Sequence, residues 1–257
     1  MADSNTTTMS PGDTDTNTTT RFNTEALTWD TRPNVIRATT LAHAAYLSHL
    51  PPPTTLSTYD ALEIGCGTGL LSLLLAPSLR SLTAVDAAPG MIDMLRHKLS
   101  ASPPPATNIL PMCALLTDEN DARIGVDPVT GETQTGRRFD LVVSHLVLHH
   151  IADLEGLFAM VFRVLKSGGT VAVTDYEDFG PEARRFHPEG KMGEVERHGI
   201  GRGEMRVFLE GAGFEEVRVE TAFEMEKMVE TEPGNRVMEH KMTFPFLICL
   251  GRKPGGE

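Results

Sequence analysis

The fold is decided by one short stretch, residues 62–69, which reads Leu-Glu-Ile-Gly-Cys-Gly-Thr-Gly. An apolar segment predicted as a strand over residues 60–64 runs into three glycines at alternate positions, and a predicted helix begins at Gly69. Glycines let a backbone turn sharply and approach a ligand closely, because a β-carbon would clash there. The free N–H groups at the start of a helix add hydrogen-bond donors. The stretch therefore predicts a ligand-binding turn between a strand and a helix.

An acidic residue supports this interpretation. Asp86 lies 21 residues after Gly65, at the end of the next predicted strand, where a carboxylate can accept two hydrogen bonds from a ribose diol. The pattern G-x-G-x-G differs from the dinucleotide fingerprint G-x-G-x-x-G. Glu63, two residues before the first glycine, favours a ligand with an ammonium or sulfonium group over a pyrophosphate. The sequence thus predicts a cationic, nucleoside-containing cofactor; the alternative is a strand–helix turn without a ligand.

The rest of the chain alternates between strand and helix patterns. Strands are predicted at residues 60–64, 81–85, 109–113, 139–143, 170–173, 214–222 and 243–250. Helices are predicted at residues 33–50, 69–78, 89–99, 154–165 and 202–211, with Gly168 and Gly169 closing the fourth. This order predicts an α/β fold with a doubly wound, mostly parallel seven-stranded sheet and an antiparallel hairpin at one edge.

Composition narrows the class of protein. The chain has 257 residues, 23 Lys and Arg against 35 Asp and Glu, and a net charge of −12, which argues against a nucleic-acid partner. Its apolar runs are shorter than the ~20 residues that span a bilayer, and its N-terminal residues lack the pattern of a secretory signal. Three widely spaced cysteines indicate neither a disulfide framework nor a zinc site, so a reducing, cytoplasmic location is expected. The Thr-rich residues 1–24 are predicted to be a disordered tail.

Four motifs in this order resemble those of the class I S-adenosylmethionine-dependent methyltransferases: residues 63–69, 85–91, 139–144 and 163–169. The sequence is most similar to the small-molecule, type 11 branch, related to the ubiquinone and menaquinone enzymes. The resemblance implies a Rossmann-like fold and S-adenosylmethionine as cofactor. It also implies that residues 25–257 form one methyltransferase domain, with an N-terminal helix and a cap around residues 180–205.

The same resemblance implies which residues bind the cofactor. The glycines would line its methionine part, Asp86 would hold the ribose hydroxyls, and Ala87 and Met91 would lie near the adenine. Many family members have an acidic residue after the third strand, but residues 112–117 here read Met-Cys-Ala-Leu-Leu-Thr. The adenine would then be held by apolar and backbone contacts, or by Asp118. The full predicted set is Trp29, Glu63, Gly65, Cys66, Gly67, Thr68, Gly69, Asp86, Ala87, Met91, Leu115, Leu116 and Ser144.

Candidate catalytic residues lie past the fourth strand. Methyl transfer from a sulfonium needs an aligned nucleophile, and it needs a base only if that nucleophile arrives protonated. The candidate bases are His145, His149, His187 and His198, of which His145 is preferred because it directly follows Ser144. The alternative for each is packing or a backbone hydrogen bond. No compact ligand spacing predicts a metal site.

The sequence therefore predicts methyl transfer from S-adenosylmethionine to an O, N or S atom of a small molecule, without a nucleic-acid partner or membrane insertion. It makes no prediction of oligomeric state. One alternative is an NAD(P)-dependent reductase, disfavoured by the glycine spacing and by the lack of a Tyr-x-x-x-Lys pair at any of the three tyrosines. The other is a cofactor-binding regulatory subunit without catalysis.

Overall fold

The structure is a computed structural model that describes residues 11–232, 234–235 and 237–256, without the side chains of residues 11–18 and 192–194. The helices are α1 (Pro11–Trp29), α2 (Pro33–His49), α3 (Pro53–Leu56), α4 (Leu70–Leu75), α5 (Pro89–Leu99), α6 (Leu154–Val164) and α7 (Arg202–Gly211). The strands are β1 (Asp60–Ile64), β2 (Ser81–Asp86), β3 (Ile109–Cys113), β4 (Phe139–His145), β5 (Leu165–Tyr176), β6 (Glu215–Val229) and β7 (His240–Arg252).

The strands form one seven-stranded sheet in the order β3-β2-β1-β4-β5-β7-β6. Strands β1 to β5 are parallel, and β7 runs antiparallel to both β5 and β6. The predicted α/β fold with an antiparallel edge hairpin is confirmed. The strand order reverses between β1 and β4, so their carboxyl ends form the crevice where such sheets bind ligands.

The core lies on both faces of this sheet. Neighbouring residues on a strand point to opposite faces, so Ala61 packs with Leu141 in one cluster and Leu62 packs with Val142 in the other. Helices α4 and α5 contribute to the first cluster, α6 and α7 to the second. All four of these strand residues are fully buried, as expected for parallel strands covered on two faces.

Residues 11–24 of the predicted tail lie in α1, which spans Pro11–Trp29; residues 1–10 lie outside the described residues. Contacts with α5 stabilise the C-terminal part of this helix although its sequence is mostly polar. Ala26 is buried against Ala88 and Met91 at the start of α5, and the Oδ1 atom of Asn23 accepts a hydrogen bond of 2.7 Å from Gly90 N. These contacts offset the entropy of ordering the helix.

Two further boundaries differ from the prediction. Helix α6 ends at Val164, and Gly168 and Gly169 lie inside β5 rather than at the end of a helix. Gly168, at φ +77°, donates from its N–H to the carbonyls of Lys253 and Pro254, so an irregular segment of β5 is paired by the last residues after β7. The two strands of the edge hairpin, β6 and β7, are also longer than predicted. In the described ranges, no helix has the length and apolar character needed to span a membrane.

Candidate active site

A cavity of about 1370 Å³ opens at the carboxyl ends of β1, β2 and β4. Helix α1 and residues 186–191 cover it from the other side. Ligand pockets for one small molecule usually measure about 300–1,000 Å³, so this cavity has room for a cofactor and a second molecule. Of the predicted cofactor residues, all but Gly69 and Ser144 are among the described residues that line it.

The glycine turn has the close backbone approach that its sequence requires. Gly65, Gly67 and Gly69 all have positive φ, at +70°, +53° and +82°. A β-carbon at Gly65 would lie 2.2 Å from Cγ2 of Val147, whereas one at Gly67 would point into open space. A β-carbon at Gly69 would lie 2.3 Å from Cδ1 of Leu95. Gly65 and Gly69 are therefore needed for packing, while Gly67 exposes its backbone to the cavity.

Two carboxylates flank this turn. Glu63 is 2% exposed and accepts a hydrogen bond of 2.5 Å from Ser72 Oγ. Burial raises the pKa of Glu63 to about 8, and the neighbouring charge of Asp86 adds to the effect. A cation bound beside Glu63 would favour its ionised form.

Asp86 has a role in the turn that the sequence did not indicate. Its Oδ2 accepts a hydrogen bond from Gly67 N and its Oδ1 one from Ala88 N, both at 2.8 Å. Asp86 therefore fixes the glycine turn, and burial raises the pKa of this carboxyl. A carboxylate can accept about four hydrogen bonds, so lone pairs remain for a ribose diol. The open backbone at Gly67, with Glu63 and Asp86 beside it, fits the cationic nucleoside cofactor that the resemblance implies.

The end of α1 is fastened over the turn. Thr68 Oγ1 donates a hydrogen bond of 2.5 Å to Asp30 Oδ1, and Lys98 Nζ lies 2.5 Å from Asp30 Oδ2. Lys98 also donates to the carbonyl of Thr68 at 2.7 Å. Trp29, next to Asp30, lines the cavity together with Leu115 and Leu116. Asp118 is not among the described lining residues.

Among the histidines, His149 has the arrangement of a general base. Its Nδ1 lies 2.9 Å and 3.0 Å from the two carboxylate oxygens of Asp175, and its backbone N–H donates to Oδ2 at 3.1 Å. Asp175 is fully buried, and His149 lines the cavity. With its proton on Nδ1, the neutral ring has a lone pair on Nε2, and Asp175 stabilises the imidazolium that forms when Nε2 takes a proton.

His145, the base preferred from the sequence, is held differently. The hydroxyl of Tyr46 donates a hydrogen bond to the carbonyl of Ser144 at 2.6 Å. Because that proton is used, the Tyr46 oxygen accepts from Thr174 Oγ1 at 3.0 Å. The Thr174 oxygen in turn accepts from His145 Nδ1 at 2.8 Å. The His145 Nε2 atom is buried and has no hydrogen-bond partner among the described residues. Burial lowers the pKa of His145 to about 4, so the ring accepts a proton less readily than an unburied histidine. The geometry favours His149 over His145 as the base.

The other predicted site residues in this part of the chain are His187, His198 and Ser144. His187 lines the cavity, and its Nδ1 lies 3.3 Å from the hydroxyl of Tyr176; burial holds its pKa well below the ordinary value. His198 is not among the described lining residues. Ser144 is buried and donates from Oγ to the carbonyl of Ile64 at 2.8 Å, so its side chain joins β4 to β1 instead of facing the cavity.

Sequence reasoning missed Asp175 as the partner of His149. Among the described residues, no group of three or more His, Cys, Asp or Glu side chains could hold a metal ion. The signal was available, because Asp175 lies near the carboxyl end of the strand next to β4. Ligand sites in such sheets form at the carboxyl ends of the strands, so the position of Asp175 indicates a place near the site.

Known proteins are similar to this chain in sequence and in fold. Residues 62–173 match the family model described as a methyltransferase domain. A malonyl-[acyl-carrier protein] O-methyltransferase of Anoxybacillus flavithermus is 44% identical over 169 residues, which cover 65% of this chain and 53% of that protein. The chain spans about half the length of the curated relatives it matches.

Solved structures with low identity show the fold alone. An O-methyltransferase family protein from Burkholderia thailandensis has a TM-score of 0.61 at 15% identity, over 92% of this chain and 63% of that one. Human N-acetylserotonin methyltransferase in complex with S-adenosylmethionine has a TM-score of 0.55 at 16% identity, over 82% and 51% of the two chains. Residues 62–173 thus match a methyltransferase domain, and in its motifs and its fold the chain is similar to the type 11 class I S-adenosylmethionine-dependent methyltransferases.

Proposed function

We propose that this protein transfers a methyl group from S-adenosylmethionine to an O, N or S atom of a small molecule. The observation that carries this proposal is the meeting of two sites in one cavity: the glycine turn with Glu63 and Asp86, and the pair of His149 and Asp175. Neither rival function accounts for both sites. A nicotinamide cofactor does not account for a carboxylate buried in the glycine turn, and a regulatory subunit does not need a paired base.

Oxygen is the acceptor atom that the site supports best. A hydroxyl usually needs a base, whereas a thiolate or a neutral amine does not. His149 and Asp175 supply such a base. The relative from Anoxybacillus flavithermus is named as an O-methyltransferase, which agrees with this choice.

In the proposed mechanism, bound S-adenosylmethionine supplies an electrophilic methyl group. Glu63 balances the charge of the cationic end, and Asp86 accepts hydrogen bonds from the ribose hydroxyls while it fixes Gly67. His149 takes the acceptor's proton on Nε2, and Asp175 stabilises the resulting charge. The end of α1 at Trp29 and the cap that we propose around residues 180–205 exclude water from the cavity.

Two measurements test the proposal. Calorimetric titration should show micromolar binding of S-adenosylhomocysteine and no comparable binding of NADP; the reverse result would favour the reductase. A screen of small phenols, thiols and amines with labelled S-adenosylmethionine should then give methylated products. Binding of S-adenosylhomocysteine with no turnover across the screen would favour the regulatory subunit.

We also propose a cytoplasmic location and no nucleic-acid partner. The net charge of −12 and the three free cysteines support this. Fluorescence microscopy of the tagged full chain and a filter-binding assay with tRNA and DNA test the two statements. A secreted protein, or tight binding to either nucleic acid, would contradict them.

A further inference from the structure

The cavity lining carries both acidic and basic side chains. Its strand-end wall carries the acidic Glu63 and Asp86, whereas the wall formed by the start of α2, the segment before residue 192 and strand β6 carries Arg32, Lys191 and Lys227. The carboxylate of Glu25 lies 2.7 Å from both Arg32 and Lys191. It therefore balances part of the positive charge on this wall.

Among the described residues, Lys227 has no such acidic partner. Its Nζ donates a hydrogen bond to the carbonyl of Phe186 and lies 4.0 Å from the centroid of the Phe186 ring. In the part of the chain that the structure describes, no carboxylate forms an ion pair with it. On the same strand, Glu226 pairs with Lys241 at 2.7 Å; just after the strand, Glu230 accepts from the backbone N–H of Gly234 at 2.9 Å.

The ammonium group of Lys227 is largely buried, and this has an energetic consequence. Burial and the nearby charge of Lys191 lower the pKa of Lys227 to about 8. The ammonium group is therefore still protonated in most protein molecules at pH 7. A buried charge is costly unless an opposite charge joins it, and the contacts described for Lys227 are with a carbonyl and a ring. Because Lys227 lines the cavity, a bound molecule can supply that charge.

Resting on the methyl transfer proposed above, we propose that the acceptor carries a carboxylate and that Lys227 binds it. A row of aromatic rings leads from Lys227 to the proposed base. The ring centroids of Phe186 and His187 are 5.2 Å apart, and those of His187 and His149 are 5.3 Å apart. An acceptor seated along these rings has its carboxylate at Lys227, an apolar spacer, and its nucleophile at His149. One ammonium matches a single negative charge, whereas phosphate recognition favours several donors or an Arg fork.

The test compares a carboxylate with its neutral analogue. Binding of 4-hydroxyphenylacetate and 4-hydroxyphenylacetamide is measured by calorimetry, with and without saturating S-adenosylhomocysteine. We expect the wild-type protein to bind the carboxylate at least about tenfold more tightly, as for a hydrogen bond between charged groups in a buried site. Lys227→Met should remove this preference, and Lys227→Arg should retain part of it. Lys241→Met, on the neighbouring strand and exposed, is the matched control and should keep the full preference.

The outcomes separate this inference from the proposed function. In one outcome, S-adenosylhomocysteine binds but the wild-type protein does not bind the carboxylate more tightly than the amide, because both probes bind alike or neither binds. The inference is then overturned and the proposed function stands. A preference that persists in Lys227→Met overturns it as well. If the carboxylate preference depends on Lys227 but S-adenosylhomocysteine does not bind, the anion site stands and methyl transfer falls.

Discussion

Replacing Asp175 by asparagine tests the proposed base most directly. The carboxylate accepts from the ring of His149 at 2.9 Å, from its backbone N–H at 3.1 Å and from Tyr176 N at 2.9 Å. An asparagine has one acceptor oxygen and one N–H₂ group. With the N–H₂ group facing the ring, Nδ1 must become the acceptor and the ring proton moves to Nε2. The lone pair that would take the acceptor's proton is then lost.

The size of the effect follows from this exchange. A positioned general base contributes about 10²- to 10⁴-fold to rate, so we expect Asp175→Asn to slow methyl transfer by at least about 10²-fold, or about 2.7 kcal/mol in the barrier. The backbone donors cannot reverse, so one of them faces the N–H₂ group, and the free energy of unfolding should fall by about 1–3 kcal/mol. Affinity for S-adenosylhomocysteine should not change, because Asp175 is not among the described residues that line the cavity.

The assay is a single-turnover measurement with labelled S-adenosylmethionine and a phenol identified in the screen. His149→Gln removes the base but keeps the carboxylate and the backbone N–H that donates to it, so it should show a loss of similar size, and the double variant should lose little more. Thr174→Val, which removes the hydrogen bond to His145, is the comparison and should affect the rate much less. A folded His149→Gln protein within threefold of the wild-type rate would refute this reasoning, and a large loss in Thr174→Val alone would move the base to His145.

Three further predictions concern the glycine turn. Asp86→Ala should weaken S-adenosylhomocysteine binding by about 1–3 kcal/mol in calorimetry, and unchanged affinity would contradict its role. The pKa of Glu63 is about 8 in the folded protein against an ordinary 4.5, so its contribution to folding is lost as pH rises from about 5 to 8. Urea unfolding should therefore show Glu63→Gln gaining stability relative to wild type over that range, and a constant difference would argue against the shift. Gly65→Ala should destabilise the protein by about 1–3 kcal/mol, since its β-carbon would meet Val147, whereas Gly203→Ala, with open space around it, should not; equal melting temperatures would contradict this.

The fold was predictable because its signals are local. The apolar runs of β1 and β2, the glycines between β1 and α4, and the alternation of strand and helix each lie within a few residues of one another. Helix α1 was not predictable over residues 11–24, because a Thr-rich segment has weak helix propensity and its stabilising contacts come from α5, about 65 positions later. Propensity was overridden there by tertiary packing.

The proposed base shows the same limit within the candidate site. His145 was preferred because it follows Ser144 in sequence, yet Ser144 points into the sheet and bonds the carbonyl of Ile64. The residue that pairs with His149 is Asp175, 26 positions away, and it is brought close by the parallel pairing of β4 and β5. Side-chain direction at a strand end depends on register, which a single sequence does not specify to one residue.

The two ends of the cavity therefore differ in how a sequence can encode them. The cofactor end is built from one turn and the end of the next strand, so its residues have fixed spacing and form a motif. The acceptor end is assembled from α1, the segment around Phe186 and strand β6, which lie up to about 200 positions apart and share no spacing. Lys227 illustrates this, because in the sequence it is one cation among the charged residues of a long edge strand, and only the hairpin geometry places it in the cavity. Substrate choice can thus change through Lys227 on β6 while the glycine turn is kept, since β6 forms no hydrogen bond with that turn among those described.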